Sequence, residues 1–254
     1  MIDASILRDR CVHKGVFPLS PTLDTVGPLC RTATDAAFVH AALDPTASAP
    51  MPVPLSLDGI VFGRPTVAGS RWFEEGAEDA VAHAFDAAVA ALESAGATIK
   101  EVALDEYGID PEERTVLFPA TVGPELVSAF GAERFVAAQP LMDTKTAERA
   151  GNGLNVSAVE HAAALRRIRE LAVLGELAFA GCGCDAWLTP TVLMTAGTVA
   201  ELDTEEGAPR GALCSRNTQP GNLLGQCSVT LPLATEVGLP AGLQVRSMVV
   251  LFRF

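Results

Sequence analysis

The sequence predicts an α/β fold, and three features carry the prediction. Ile60-Val61-Phe62 is a short apolar run between Gly59 and Gly63, Glu78 to Ala95 repeats Val81, Phe85, Ala88, Val89 and Leu92 at helical spacing before Gly96, and Thr98 to Leu104 reads as a second strand. Two strands joined by a helix of this length suggest a right-handed parallel crossover. A long helix opens at the capping box of Ser157 and Glu160, and strands follow at Asp185 to Pro190, Ser228 to Leu233 and from Gly242 to Val245.

At 254 residues the chain can bury a sizeable core, and a charged fraction of 19% without low-complexity runs favours a folded protein. The most apolar stretch, Leu171 to Met194, is broken by Glu176, Asp185 and Pro190, so no membrane span is expected. The first residues lack a basic leader and an apolar core of signal-peptide length, which sets a cytoplasmic expectation. Six cysteines (Cys11, Cys30, Cys182, Cys184, Cys214, Cys227) fit a reduced compartment; Cys182-Gly183-Cys184 lacks redox spacing and a neighbouring histidine, so no metal is expected. A net charge of −13 with no basic run argues against nucleic acid. Gly63 to Gly69 lacks the spacing of a dinucleotide or phosphate loop and reads as a turn, and no cofactor is expected.

From the start, Gly15 to Thr32 contains too much proline and glycine for a helix and too many apolar residues for a solvated linker, so it reads as a buried, turn-rich connection. Ser20, Thr22, Asp24 and Thr25 can supply partners for its backbone. Thr32 to Leu43 reads as a helix with Thr34 placed to cap it, and the proline-rich Asp44 to Pro54 as a surface linker. Asp110 to Phe130 is expected to be helical with an interruption at Pro119 and Gly123-Pro124, its Asp110, Glu112 and Glu113 serving as dipole partners rather than an acid/base pair. In the long helix after Ser157, Val159, Ala163, Ile168, Leu171 and Leu174 to Phe179 form the apolar stripe. His161 within it reads as a polar-face or satisfied core residue, and His13, His40 and His83 share no spacing with an acid or nucleophile.

Gly15-Val16-Phe17-Pro18-Leu19-Ser20-Pro21-Thr22-Leu23-Asp24-Thr25-Val26-Gly27-Pro28-Leu29 with Arg31-Thr32 and Asp35-Ala36-Ala37 resembles the segment that follows the catalytic core in the amidase signature family, of the general amidase type. Asp185-Ala186-Trp187-Leu188-Thr189-Pro190-Thr191 resembles its late strand. Arg216-Asn217-Thr218, Gly221-Asn222, Gly225, Leu231-Pro232 and Gly238-Leu239-Pro240-Ala241-Gly242-Leu243-Gln244 match its C-terminal segment in order and spacing. The resemblance covers about residues 10–244; the stretch from Arg246 to Phe254 departs from the family and reads as an exposed apolar end. It implies a mixed sheet covered by helices, like the C-terminal part of the amidase signature fold, with residues 1–254 as one partial domain whose N-terminal catalytic core is absent.

Members of the family are serine hydrolases that cleave carboxamides with a lysine, a relay serine held by a cis peptide and a nucleophilic serine. No Gly-Gly-Ser-Ser run occurs here, and Lys14, Lys100 and Lys145 stand in other contexts. Asp3-Ala4-Ser5-Ile6 only echoes the nucleophile segment: it lies too near Gly15 and lacks the glycines that leave room for an oxyanion. No catalytic residue carries over, so the chain is expected to be inactive alone. By resemblance, Asp24 and Gly27 support the loop beside the catalytic core. Arg149, in its Arg-x-x-x-Gly setting, resembles the arginine that clamps the glutamine carboxylate in the glutamine-hydrolysing chain of the tRNA-dependent amidotransferase, although the residue itself could equally cap its helix. Ser215-Arg216-Asn217 departs from that amidotransferase. The expected partners are a small-molecule amide once a pocket is completed, and a partner chain carrying the lysine and serines, or self-association through an exposed sheet edge.

Overall fold

The computed structural model of the chain describes residues 2–5, 15–43, 56–204, 210–211 and 213–248. The expected linker at Asp44 to Pro54 and the apolar end beyond Met248 lie outside them, as do Cys11, His13 and Lys14. A seven-stranded mixed sheet runs in the order β2-β1-β6-β7-β5-β3-β4. Its strands are β1 (Ile2–Ser5), β2 (Leu29–Cys30), β3 (Val61–Thr66), β4 (Thr98–Ala103), β5 (Ala186–Pro190), β6 (Cys227–Leu233) and β7 (Ala241–Ser247). β3 is parallel to both β4 and β5; β5 with β7, β7 with β6, β6 with β1 and β1 with β2 are antiparallel. The helices are α1 (Ala33–Leu43), α2 (Asp79–Ser94), α3 (Arg114–Phe130), α4 (Ala132–Ala138), α5 (Thr144–Gly151), α6 (Ala158–Cys182), α7 (Val199–Leu202) and α8 (Thr218–Leu223). This is the expected mixed sheet with helices, and β3-α2-β4 is the parallel unit that the sequence announces.

The two faces of the sheet bury different chemistry. On one, α2 lays Phe85 and Val89 against Leu188, Leu243, Leu231 and Val245. Full burial of such a side chain stabilises by roughly 1.5–3 kcal/mol, and beside them the buried Arg64 of β3 pairs with Glu74 and with Asp86 of α2. On the other, α6 and α3 pack Ile168, Leu171, Phe179 and Leu117 around Trp187, Trp72 and Phe73. That apolar cover reaches Trp187 on β5, while β6 and β7 carry Ser228, Thr230, Gln244 and Arg246 on the same face, as the strand alternation and register require.

The structure corrects several local expectations. β3 runs on through Arg64, Pro65 and Thr66, so Gly63 to Gly69 is mostly strand. Pro65 is tolerated because β5 pairs with β3 only at Phe62 and Gly63, leaving the prolyl nitrogen beyond that ladder. The turn is tighter and later: Val67 and Ser70 exchange both backbone bonds around Ala68 and Gly69, which have positive φ. α3 is continuous through Pro119 and Pro124 rather than interrupted. Pro124 has no N–H for the Ala120 carbonyl, and His161 Nδ1 donates to that carbonyl at 2.9 Å instead. That bond makes His161 the satisfied histidine that was expected.

Thr32, not Thr34, caps α1, its Oγ1 accepting from Asp35 N at 3.0 Å. The capping box of Ser157 and Glu160 is present, but the buried stripe of α6 is narrower than the apolar pattern, because Val159 is 79% exposed while Ala164, Ile168, Leu171, Gly175 and Ala178 face the core. Asp110 caps the turn before α3, Glu112 accepts from Trp72 Nε1 and Glu113 pairs with Arg167 at 2.7 Å, so these acids hold structure. β7 continues past Gln244 to bury Arg246 and Ser247, where an exposed end was expected, because the register with β5 and β6 carries on beyond that residue.

The largest correction concerns Gly15 to Thr32. It is turn-rich, but only Ser20, Leu23 and Pro28 are buried; Val16, Phe17, Leu19 and Leu29 are exposed. Its backbone demands are met at the surface by carboxylates, so its apolar side chains need not enter the core. Among the described residues, no helix is long and apolar enough to cross a membrane.

Gly63 sits where three strands meet, and a Cβ there would lie 2.7 Å from Trp187 Cδ1 and 2.8 Å from Val102 Cγ2. Gly63→Ala is therefore expected to destabilise by about 1–3 kcal/mol. It should appear in urea unfolding as a lower midpoint at unchanged slope; an unaltered midpoint would show that Trp187 and Val102 can move apart freely.

Candidate functional site

The face left open by the apolar cover forms a cavity of about 430 Å³. Its floor follows from the register. Ser228, Arg246 and Trp187 lie in one row across β6, β7 and β5, and Thr230, Gln244 and Thr189 in the next. Gly242 keeps the floor tight at one end, since a Cβ there would lie 2.6 Å from Thr191 Oγ1 and 2.8 Å from Thr230 Cγ2. α8 supplies one wall with Thr218, Gly221 and Asn222, and the opening loop supplies a rim with Thr25, Gly27 and Leu29.

The floor is cross-linked by its own side chains. Arg246 Nε donates to Gln244 Oε1 at 2.8 Å, Gln244 Nε2 to Ser228 Oγ at 3.3 Å and Thr191 Oγ1 to Thr230 Oγ1 at 3.3 Å. A second Arg246 nitrogen donates to the Asn217 carbonyl, and the guanidinium lies 4.8 Å from the centre of the Phe73 ring. Asn217 is fully buried, and its Nδ2 donates to the carbonyls of Phe73 at 2.7 Å and Pro190 at 2.8 Å. Three segments thus converge on one amide.

Two groups of this cavity stand out. Arg246 is 1% exposed, and no carboxylate among the described residues pairs with it; burial pulls its pKa down to about 9, which leaves it cationic at neutral pH. Gln226 is 6% exposed, and neither its Oε1 nor its Nε2 has a protein partner among the described residues. A buried amide with unmet hydrogen-bond positions costs stability unless something fills the space beside it.

The opening loop is tied down by two carboxylates. Asp24 accepts from Leu19 N and Ser20 N, both at 3.0 Å, and closes the turn on itself. Glu125 of α3 accepts from Ser20 Oγ at 2.5 Å, Thr22 N at 3.0 Å and the Thr22 hydroxyl. Phe17 meets Phe130 edge-on at 5.8 Å beside this anchor. Asp24 therefore shapes the loop whose Gly27 lines the cavity.

Arg149 sits elsewhere. It is exposed in the last turn of α5, where a cation suits the helix dipole, and is absent from the cavity lining. Of the expected residues the structure brings Asp24 and Gly27 together at the rim and leaves Arg149 outside. Lys145 pairs with Asp203 at 2.7 Å, and Lys100 lies on β4 away from the cavity. Ser5 pairs through its backbone with Ser228 of the cavity floor. Burial pushes the Cys184 thiol up to about 12, and no cluster of potential metal ligands occurs among the described residues.

Sequence reading missed Glu125, Gln226 and Arg246. Glu125 acts across more than a hundred residues and has no local signal. Arg246 had one: Leu243 and Val245 alternate with Gln244 and Arg246, the pattern of a strand with one polar face.

Comparison with known proteins agrees with this architecture. Residues 7–248 match the family profile described as Amidase. The chain is 31% identical over 243 residues to a 2-amino-5-chloromuconic acid deaminase of Comamonas testosteroni, covering 91% of this chain and 49% of that protein. It is 27% identical over 273 residues to the A component of the glutamyl-tRNA(Gln) amidotransferase of Salinispora arenicola, covering 91% and 53%. A crystal structure of an amidase superposes with a TM-score of 0.79 at 26% identity, covering 97% of this chain and 54% of that one. The chain spans about half the length of the curated relatives it matches.

Glu125→Ala leaves Ser20 and Thr22 without their acceptor and is expected to cost about 1–3 kcal/mol locally. Amide hydrogen exchange should then speed up at Thr22 and across the opening loop while β6 and β7 stay protected. Unchanged protection at Thr22 would mean that Asp24 alone holds the loop.

Proposed function

The chain belongs to the amidase family, and on that premise we propose that it builds one wall of the substrate cavity of a carboxamide hydrolase that works through a serine mechanism. The observation that carries this reading is the cavity itself: a polar floor of hydroxyls and side-chain amides, open on the sheet face that the apolar core leaves uncovered, with Gly27 of the Asp-Thr-Val-Gly-Pro loop at its rim. A carboxamide has one acceptor oxygen and two donor hydrogens, and such a lining can satisfy both. Asp24 contributes by fixing the loop and Gly27 by lining the rim. Arg149, exposed on the last turn of α5 and outside this lining, serves its own helix terminus rather than the substrate in this reading.

The nucleophile and the base that activates it are groups that no residue of these 254 supplies by family wording, and amide hydrolysis needs both together with oxyanion donors. In this reading the chain alone does not turn over amides. The names of its relatives, a deaminase of an aminomuconic acid derivative and a component of an amidotransferase, support C–N bond chemistry as the setting. The cytoplasm remains the proposed compartment.

A second reading, a non-catalytic half or relic that binds a partner chain, is favoured by one observation. Phe17, Leu29 and Phe38 are 63%, 65% and 59% exposed on the opening loop, β2 and α1, which form or adjoin the β2 edge of the sheet.

Ammonia release from a panel of aliphatic and aromatic amides separates these readings. The purified 254-residue chain should release none while its circular dichroism shows it folded. Co-expression with a lysine- and serine-bearing half of an amidase should give release in the hydrolase reading, and a stable but inactive complex in the relic reading. Turnover by the chain alone, blocked by a serine-directed inhibitor, would overturn the proposal and direct mutagenesis to Ser5.

A further inference from the structure

Arg246 is a charge without a counter-charge among the described residues. Its side chain is buried at the end of β7 on the cavity floor, and of its N–H donors Nε serves Gln244 and one on Nη2 serves the Asn217 carbonyl. Nη1 makes no hydrogen bond to the described residues. A guanidinium taken out of water without a counter-charge is costly, and two hydrogen bonds and the Phe73 ring offset only part of that cost. Its placement at a cavity wall is explained if an anion completes it.

A second observation points to the same spot independently. Gln226 is buried with both polar atoms unmatched, and it lines the same cavity. Gly221 of α8 locates the two groups: a Cβ built there would lie 3.8 Å from Arg246 Nη1 and 3.9 Å from Gln226 Oε1. The bare face of Gly221 therefore looks onto a guanidinium donor and a free carboxamide at once. Terminal oxygen and nitrogen of a glutamine amide exchange by a flip, so Gln226 can present N–H to this spot as readily as C=O. Two convergent donors beside a glycine, at the floor of a cavity with no acid among its lining residues, make a receptor for a carboxylate.

We propose that Arg246, with Gln226 and the open face of Gly221, forms a carboxylate subsite, so that the substrates of this cavity are amides that also carry a carboxylate. This rests on the amide-binding reading above and names its substrate class. Arg246 holds the acid end of the substrate and does not touch the scissile bond. Electrostatic attraction into a low-dielectric pocket makes the charge, rather than size, the selecting feature.

The experiment is isothermal titration of the 254-residue chain with three probes of nearly equal size: succinamate, which has one amide and one carboxylate, succinamide, which has no charge, and succinate, which has no amide. Succinamate should bind at least about tenfold more tightly than succinamide, a difference of about 1.4 kcal/mol. Arg246→Met should abolish that preference. Should Arg246→Met fail to fold, Gly221→Ala serves: it suits a helix, meets neighbours only at van der Waals distance, and puts a methyl group where the carboxylate would sit. It should weaken succinamate at least about tenfold with an unchanged melting temperature. Equal binding of succinamide and succinamate, or a Gly221→Ala chain that binds succinamate as before, would overturn the carboxylate subsite. Succinate binding as tightly as succinamate would support the subsite while counting against amide recognition, so the two readings fail separately.

Discussion

The cavity depends on one buried amide. Asn217 donates to the carbonyls of Phe73 and Pro190 and offers its own carbonyl to Arg246, so the end of β5, the loop that carries Trp72 and Phe73, and the end of β7 are fixed to a single residue. Removing that side chain would strand two buried carbonyls, each a loss of about 1–3 kcal/mol, and free the strand ends that hold the cavity floor. The neighbouring Arg216 reinforces the junction from outside, with its guanidinium 3.9 Å from the centre of the Trp72 ring and a bond to the Glu75 carbonyl at 2.8 Å. Position 217 is thus where backbone irregularity is absorbed.

From this junction the asymmetry of the sheet follows. The face under α2 is filled by Phe85, Leu188 and Leu243, and its buried Arg64 is matched by Glu74 and by Asp86 of α2. The opposite face changes character along its width, from Trp187 within the apolar cluster to Gln244, Ser228 and Thr230 beneath the cavity. A β-sheet makes such a division easily, because successive residues point to opposite sides and a polar row costs nothing on the sealed face. The opening loop then sits over the rim, held by Asp24 and Glu125 rather than by its own apolar residues, which remain at the surface.

The polar groups of the cavity, Ser228, Thr230, Gln244 and Arg246 on β6 and β7, are placed by strand register, with α8 as one wall, all of them elements of this chain. Binding and bond cleavage are physically separable, which is what makes their separate measurement informative.

Much was legible in the sequence because it is set by local rules. The spacing of Val81, Phe85 and Val89 gives α2, Ser157 and Glu160 begin α6, and the Gly-Leu-Pro-Ala-Gly-Leu-Gln wording gives both the family and β7. What the sequence could not express depends on partners distant in the chain. Pro124 remains inside α3 because His161 takes up the carbonyl it frees; Gly15 to Thr32 stays at the surface because Glu125 satisfies its backbone; Arg149 lies outside the cavity while Arg246 is drawn to its floor. Periodicity and turn chemistry act over a few residues and so can be read from them. Burial of a charge beside a cavity is decided only when strands far apart in sequence come into register.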